Sequence, residues 1–257
     1  QTAVNLWVSN ESSALSTYGE INTWDVSSVT SLQNLFYGKG SFNDDIGNWD
    51  VSSVTSLTNL FRSAGSFNQD IGDWDVSNVG SMHAAFMDAD DFNQDISGWN
   101  LNSATNLHGM FIGASSFNQD ISGWNVTSDI TNIGRMFESA SNFNQDISGW
   151  DVSGVTHLGG IFKYASSFNQ DLSSWQLTSV IEWYDLFLGA NALSDENKCY
   201  IDASWSQQSS NWPYDWSENQ DCAGDCYGDA YVQDWYTDND GDGLGSGVSD
   251  ASVCTDT

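Results

Sequence analysis

Apolar positions recur along most of the chain on a fixed period. Trp24, Trp49, Trp74, Trp99, Trp124, Trp150 and Trp175 lie 25, 25, 25, 25, 26 and 25 residues apart. Phe-Asn-Gln-Asp keeps step, beginning at Phe67, Phe92, Phe117, Phe143 and Phe168, and it reads Phe-Asn-Asp-Asp at Phe42. The one extra residue falls in Thr127-Ser128-Asp129-Ile130. Within a unit, Trp49 and Val51 alternate with Asp50 and Ser52, the period of a short half-buried strand. Leu57, Leu60 and Phe61 then follow at i, i+3 and i+4, which predicts a short helix capped by Ser53 or Thr55 and closed by Ala64. One unit cannot bury its own Trp, Val, Leu and Phe, whereas stacked copies make a continuous core.

The expected fold class is therefore an α/β repeat solenoid, with short parallel strands on one face and short helices on the other. Residues 1–20 read as an N-terminal helical cap with Val4, Leu6, Trp7 and Leu15 on its apolar side. Residues 21–198 hold about seven repeats, 199–221 a C-terminal cap, and 222–257 a small irregular acidic segment.

Charge narrows the function classes. The 257 residues include 35 acidic and five basic side chains, for a net charge of −30. Such a field repels phosphate backbones and anionic lipid, which argues against nucleic acid as a partner. Aromatics at 14% argue against disorder. No apolar run approaches the ~18 residues of a membrane span, so direct membrane insertion is not expected. No signal-peptide pattern opens the chain, so a secreted or cell-surface protein would already have lost its signal. Residues 199–257 carry 12 acidic side chains, no basic one, and all four cysteines: Cys199, Cys222, Cys226 and Cys254. Cysteines confined to a small polar segment point to disulfides and an oxidising compartment. Cys199–Cys222 with Cys226–Cys254 is the favoured pairing, because it keeps cap and tail as separate loops. Zinc at Cys222 and Cys226 is the alternative.

Trp-Asp-Val-Ser-x-Val-Thr, a Leu/Met-Phe segment and Phe-Asn-Gln-Asp-Ile together resemble the 25-residue variant of the BspA-like leucine-rich-repeat surface proteins. That variant is abundant in mycoplasma lipoproteins and in secreted proteins of marine bacteria. The resemblance runs from about Ala3 to Trp216, including the closing Trp212-Pro213-Tyr214-Asp215-Trp216. It implies a leucine-rich-repeat-like solenoid outside the cell, acting in binding or adhesion and without catalytic residues. In the tail, Asp238, Asp240 and Asp242 sit at i, i+2 and i+4 before Gly243, with Asp250 further on. This spacing can wrap one hard cation, and it is similar to the calcium repeats of thrombospondin type 3.

A stacked repeat turns each recurring residue into a ladder. Asn43, Asn68, Asn93, Asn118, Asn144 and Asn169 are expected to bond between neighbouring coils. Asp70, Asp95, Asp120 and Asp146 form a second ladder, either capping turns or holding calcium between coils, since like charges ~5 Å apart repel by about 0.8 kcal/mol even in water. A third comprises Asp50, Ser52, Asp75, Ser77, Asn100, Asn102, Asn125, Thr127, Asp151 and Ser153. In leucine-rich repeats these positions form the partner-binding face, and here they would suit hydroxyl-rich or cationic ligands. His83 and His108 occupy equivalent solvated positions. A carboxylate ladder offers no unique cleft for a glycosidase pair. The expectation is thus a non-enzymatic extracellular binding or adhesion module without organic cofactor, stabilised by calcium, with a protein or glycan partner. The alternative is a subunit of an extracellular filament or surface layer.

Overall fold

The computed structural model describes residues 1–221 and 224–227, together with the backbone of strands β1 (Tyr231–Trp235) and β2 (Ala251–Thr255). The repeats stack as coils, but they contain neither the expected helices nor the expected strands. Leu57, Leu60 and Phe61 are buried, yet they lie on consecutive tight turns. The amides of Leu60, Arg62 and Ala64 bond back three residues, to Leu57, Asn59 and Phe61. Those of Leu57, Asn59, Phe61 and Ser63 leave the coil for the carbonyls of Ser81, His83, Ala85 and Met87 in the next one. An α-helix would spend every amide on the residue four back.

Alternating donors require a backbone that reverses hand every fourth residue. Positive φ recurs at Asn34 and Gly38, Asn59 and Ser63, Gly109 and Gly113, and on through Asp185 and Gly189. Gly and Asn accept this conformation cheaply, whereas a right-handed helix forbids it. The i, i+3, i+4 stripe therefore reports which positions face the core, and the turns present the same positions a helix would. On the strand side, Val51 to Val54 closes another turn, and the β-type pairing between neighbouring coils is reduced to single parallel bridges linking Ser31, Ser56, Ser81, Asn106, Asn132, His157 and Glu182. Among the described residues the sheet is the antiparallel pair β1–β2, outside the repeats. This overturns the leucine-rich-repeat-like α/β assignment.

The core is a set of aromatic columns. Phe36, Phe61, Phe86, Phe111, Phe137, Phe162 and Phe187 stack with centroids 5.4 to 5.9 Å apart. Phe42 to Phe168 form a parallel column at 5.9 to 6.3 Å. A buried indole needs a partner for its N–H, and the column tryptophans from Trp49 to Trp175 find equivalent carbonyls in the preceding unit. Trp49 donates to the Ile21 carbonyl at 2.8 Å, Trp74 to Ile46 at 3.2 Å, and Trp99 to Ile71 at 3.1 Å. The asparagine ladder ties coils at one corner: Asn68 Oδ1 accepts the Asn93 amide at 2.9 Å and the Gln94 side-chain amide at 3.0 Å. The arrangement repeats through Asn144.

Both ends of the stack are covered. The first 18 residues fold as two helices, α1 (Thr2–Ser9) and α2 (Glu11–Tyr18), because Asn10 ends the first and caps the second by accepting the Ser13 amide at 3.1 Å. Val4, Trp7 and Ala14 are buried, whereas Leu15 is exposed rather than on the apolar side. Gln1 donates to the Leu35 carbonyl of the first coil. At the other end lies α3 (Asp195–Gln208), capped by Ser194, with Asp195 and Glu196 in its first turn. This helix imitates a coil. Trp205 stacks on Trp175 at 6.0 Å and donates to the Leu172 carbonyl. The Ser194 amide and the Asn197 side chain both bond Asn169 Oδ1, closing the ladder. The Tyr214 hydroxyl accepts the Phe187 amide.

One coil is irregular. The extra residue is absorbed by a tight turn in which the Val126 amide bonds the Trp124 carbonyl, and the following turn moves to Thr127–Ile130. The Ser128 carbonyl is thereby pushed against Gly154, where an added Cβ would lie 1.8 Å from the oxygen. The equivalent residues in other coils include Ser53, Asn78 and Ser179, and the last two donate to the same carbonyl of the preceding coil.

Candidate functional site

The outward ladder is a row of self-capped turns, not the face of a sheet. Asp50 Oδ1 accepts the Ser52 amide at 3.1 Å and its hydroxyl at 2.6 Å, and Asp151 treats Ser153 alike. Asp75 accepts from the Ser77 amide and Asn100 from the Asn102 amide. Asn125, in the irregular coil, instead accepts the Leu101 amide and donates to Asn102, while Thr127 accepts the Asp129 amide. In the second ladder Asp70, Asp95, Asp120 and Asp146 each accept the amide two residues on. Among the described residues no group of three His, Cys, Asp or Glu could hold a metal ion. Asp238, Asp240, Asp242 and Asp250 lie outside the described residues. His83 and His108 stack at 5.1 Å. Burial, with His83 and Arg135 nearby, holds the His108 imidazole below its ordinary pKa.

Serine hydroxyls and amides lower the carboxyl pKa of Asp25, Asp50, Asp75, Asp120, Asp151 and Asp215, and the Ser97 amide does so for Asp95. Among the described aspartates Asp90 is raised, by partial desolvation and by the neighbouring charges of Asp88 and Asp91. A carboxyl with a lowered pKa binds its proton less readily folded than unfolded. Its stabilisation is complete above the ordinary value near 3.9 and disappears as the pH falls below it. Thermal melts from pH 7 to 2 should accordingly show Tm falling below about pH 4, and a Tm constant to pH 2 would contradict this role for the turn caps.

The cysteine pairing differs from expectation: Cys199 bonds Cys226, not Cys222. Cys222 and the Cys254 side chain lie outside the described residues. Buried Cys199 sits on α3, so the bond holds the segment around Cys226 against that helix. Between them opens a groove of about 660 Å³, lined by Tyr200, Ser204, Gln207, Gln208, Asp225 and Ser173. Its floor is fastened to the last coil. Gln208 donates to the Trp175 carbonyl at 2.9 Å and accepts the Leu177 amide at 2.6 Å, and Ser204 donates to the Ser173 carbonyl at 2.6 Å. Tyr200 is 38% exposed. The repeat pattern does not announce this site, because Leu193-Ser194-Asp195-Glu196 stands at the phase of Phe-Asn-Gln-Asp yet opens a helix. The available signal was an N-cap serine followed by two acidic residues.

No helix among the described residues is long and apolar enough to cross a membrane. The family described as "Mycoplasma protein of unknown function, DUF285" matches residues 7–124 and 96–200, overlapping segments that together span most of the chain. No curated protein and no solved structure gives a match. On that coverage, the chain is a member of the DUF285 family.

Proposed function

We propose that this chain is a non-enzymatic binding module displayed outside the cell, with its acidic tail stabilised by calcium. The carrying observation is the Cys199–Cys226 bond, which fixes an open polar groove at one end of a stack of coils. Disulfides persist in oxidising compartments. The likeness of the repeat to BspA-like surface proteins supports outward display without the leucine-rich-repeat fold. Coil-on-coil polymerisation is the weaker reading, because α1 covers the first coil and α3 with Tyr214 covers the last. Antibody labelling of intact source cells tests the display, and recovery solely from the cytosol would overturn it.

Calcium is tested separately. The Asp238, Asp240 and Asp242 spacing supports an extracellular-type site of about millimolar affinity. At ten times Kd an ion that binds only the folded state adds about 1.4 kcal/mol. Tm of the full chain is expected to rise with 10 mM calcium, fall on chelation, and lose this response in the double variant Asp240→Asn, Asp242→Asn. A Tm indifferent to chelation removes calcium from the account.

A further inference from the structure

We infer that the groove between α3 and the disulfide-held segment binds a neutral saccharide, an inference that rests on the binding-module reading above. Its side chains divide into two sets. Ser204 and Gln208 have their polar groups committed to carbonyls and an amide of the last coil, so they shape the floor. Gln207 and Asp225 are exposed, and their side chains have no hydrogen-bond partner among the described residues. An amide that donates and accepts, beside a carboxylate that accepts, is the complement of vicinal hydroxyls. The half-exposed Tyr200 ring adds a flat apolar surface, whose hydroxyl end leans on Glu196 at 3.4 Å. Such a ring suits the C–H face of a pyranose while the polar groups read its edge.

The alternatives fit less well. An apolar ligand would face amides, hydroxyls and a carboxylate, which it cannot satisfy. A sulfated or uronic polymer would meet Asp225 within a chain of net charge −30. The disulfide supplies rigidity, since it holds Gly224 and Asp225 opposite the helix without cost at the moment of binding.

Affinity electrophoresis of the full chain through gels containing starch, xylan, galactomannan or laminarin tests this. The expected result is retardation by at least one polymer, weakened about tenfold or more in Tyr200→Ala and in Gln207→Ala. Both variants should keep the parent Tm, because the residues are exposed. Tyr37→Ala, at another exposed tyrosine towards the far end of the stack, should be retarded like the parent. Retardation that survives Tyr200→Ala overturns the assignment of the groove, and absence of retardation in every gel overturns the ligand class. If the protein still adheres to intact cells or matrix in that case, the binding-module reading stands alone. If adhesion is absent too, both fall.

Discussion

Gly154→Ala is expected to destabilise the protein by at least about 3 kcal/mol, the upper end of ordinary overpacking costs, or to prevent folding altogether. The added Cβ would lie 1.8 Å from the Ser128 carbonyl oxygen and 2.6 Å from its carbon. These are backbone atoms, so no side-chain rotation relieves the clash, and the turn Thr127–Ile130 must move. Denaturant unfolding measures the loss. A second variant separates this cause from general sensitivity of the coil. Deleting Ser128 restores the 25-residue register, giving Trp-Asn-Val-Thr-Asp-Ile, and in that background serine at 154 should be tolerated as it is at Ser53 and Ser179. Failure of the deletion to rescue Gly154→Ser would show that the inserted residue is not what demands glycine.

Phe111→Ala is the second large effect. Its ring is fully buried and touches Phe86 and Phe137 along its column, Phe117 within the coil at 4.0 Å, and Trp124. Removing a buried phenylalanine ring costs about 3–5 kcal/mol. In a linear stack each coil contacts only its neighbours, so the loss falls on two adjacent interfaces rather than on the whole core. The expected signature is therefore a lower Tm together with a broadened or split transition, as the two halves unfold separately. Calorimetry checks this: a single sharp transition at the parent Tm would exclude it, and Phe36→Ala, next to the N-terminal cap, should not split the transition.

What could be read from the chain was what the stack repeats. The tryptophan and phenylalanine phases mark the columns, and the asparagine phase marks the ladder, because a residue whose partner is its own copy must recur. The hand of the backbone could not be read that way. Burial at Leu57, Leu60 and Phe61 is common to a helix and to consecutive turns, whereas Asn59, Gly109 and Gly113 distinguish the two. Those last residues, recurring at one phase, carried the signal of positive φ. Chemistry that occurs once was hidden for a different reason. The groove joins Tyr200 and Gln207 from α3 to Asp225 from beyond the cap, and they are brought together by the Cys199–Cys226 bond, with Gln220 bridging Cys226 and donating to Asp202 of α3. Four cysteines permit three pairings, and spacing does not choose among them.

The mimicry of a coil by α3 has a consequence for how such proteins change over time. Trp205 and Ser194 present the same stacking surface and hydrogen-bond donors that any following coil would. The cap can therefore seat on whichever coil happens to be last. Duplication or loss of one 25-residue unit leaves both terminal junctions intact and shifts the groove by one ring spacing, here 5.4 to 5.9 Å. The array behaves as an adjustable spacer, whose reach can evolve while the groove it carries is left untouched.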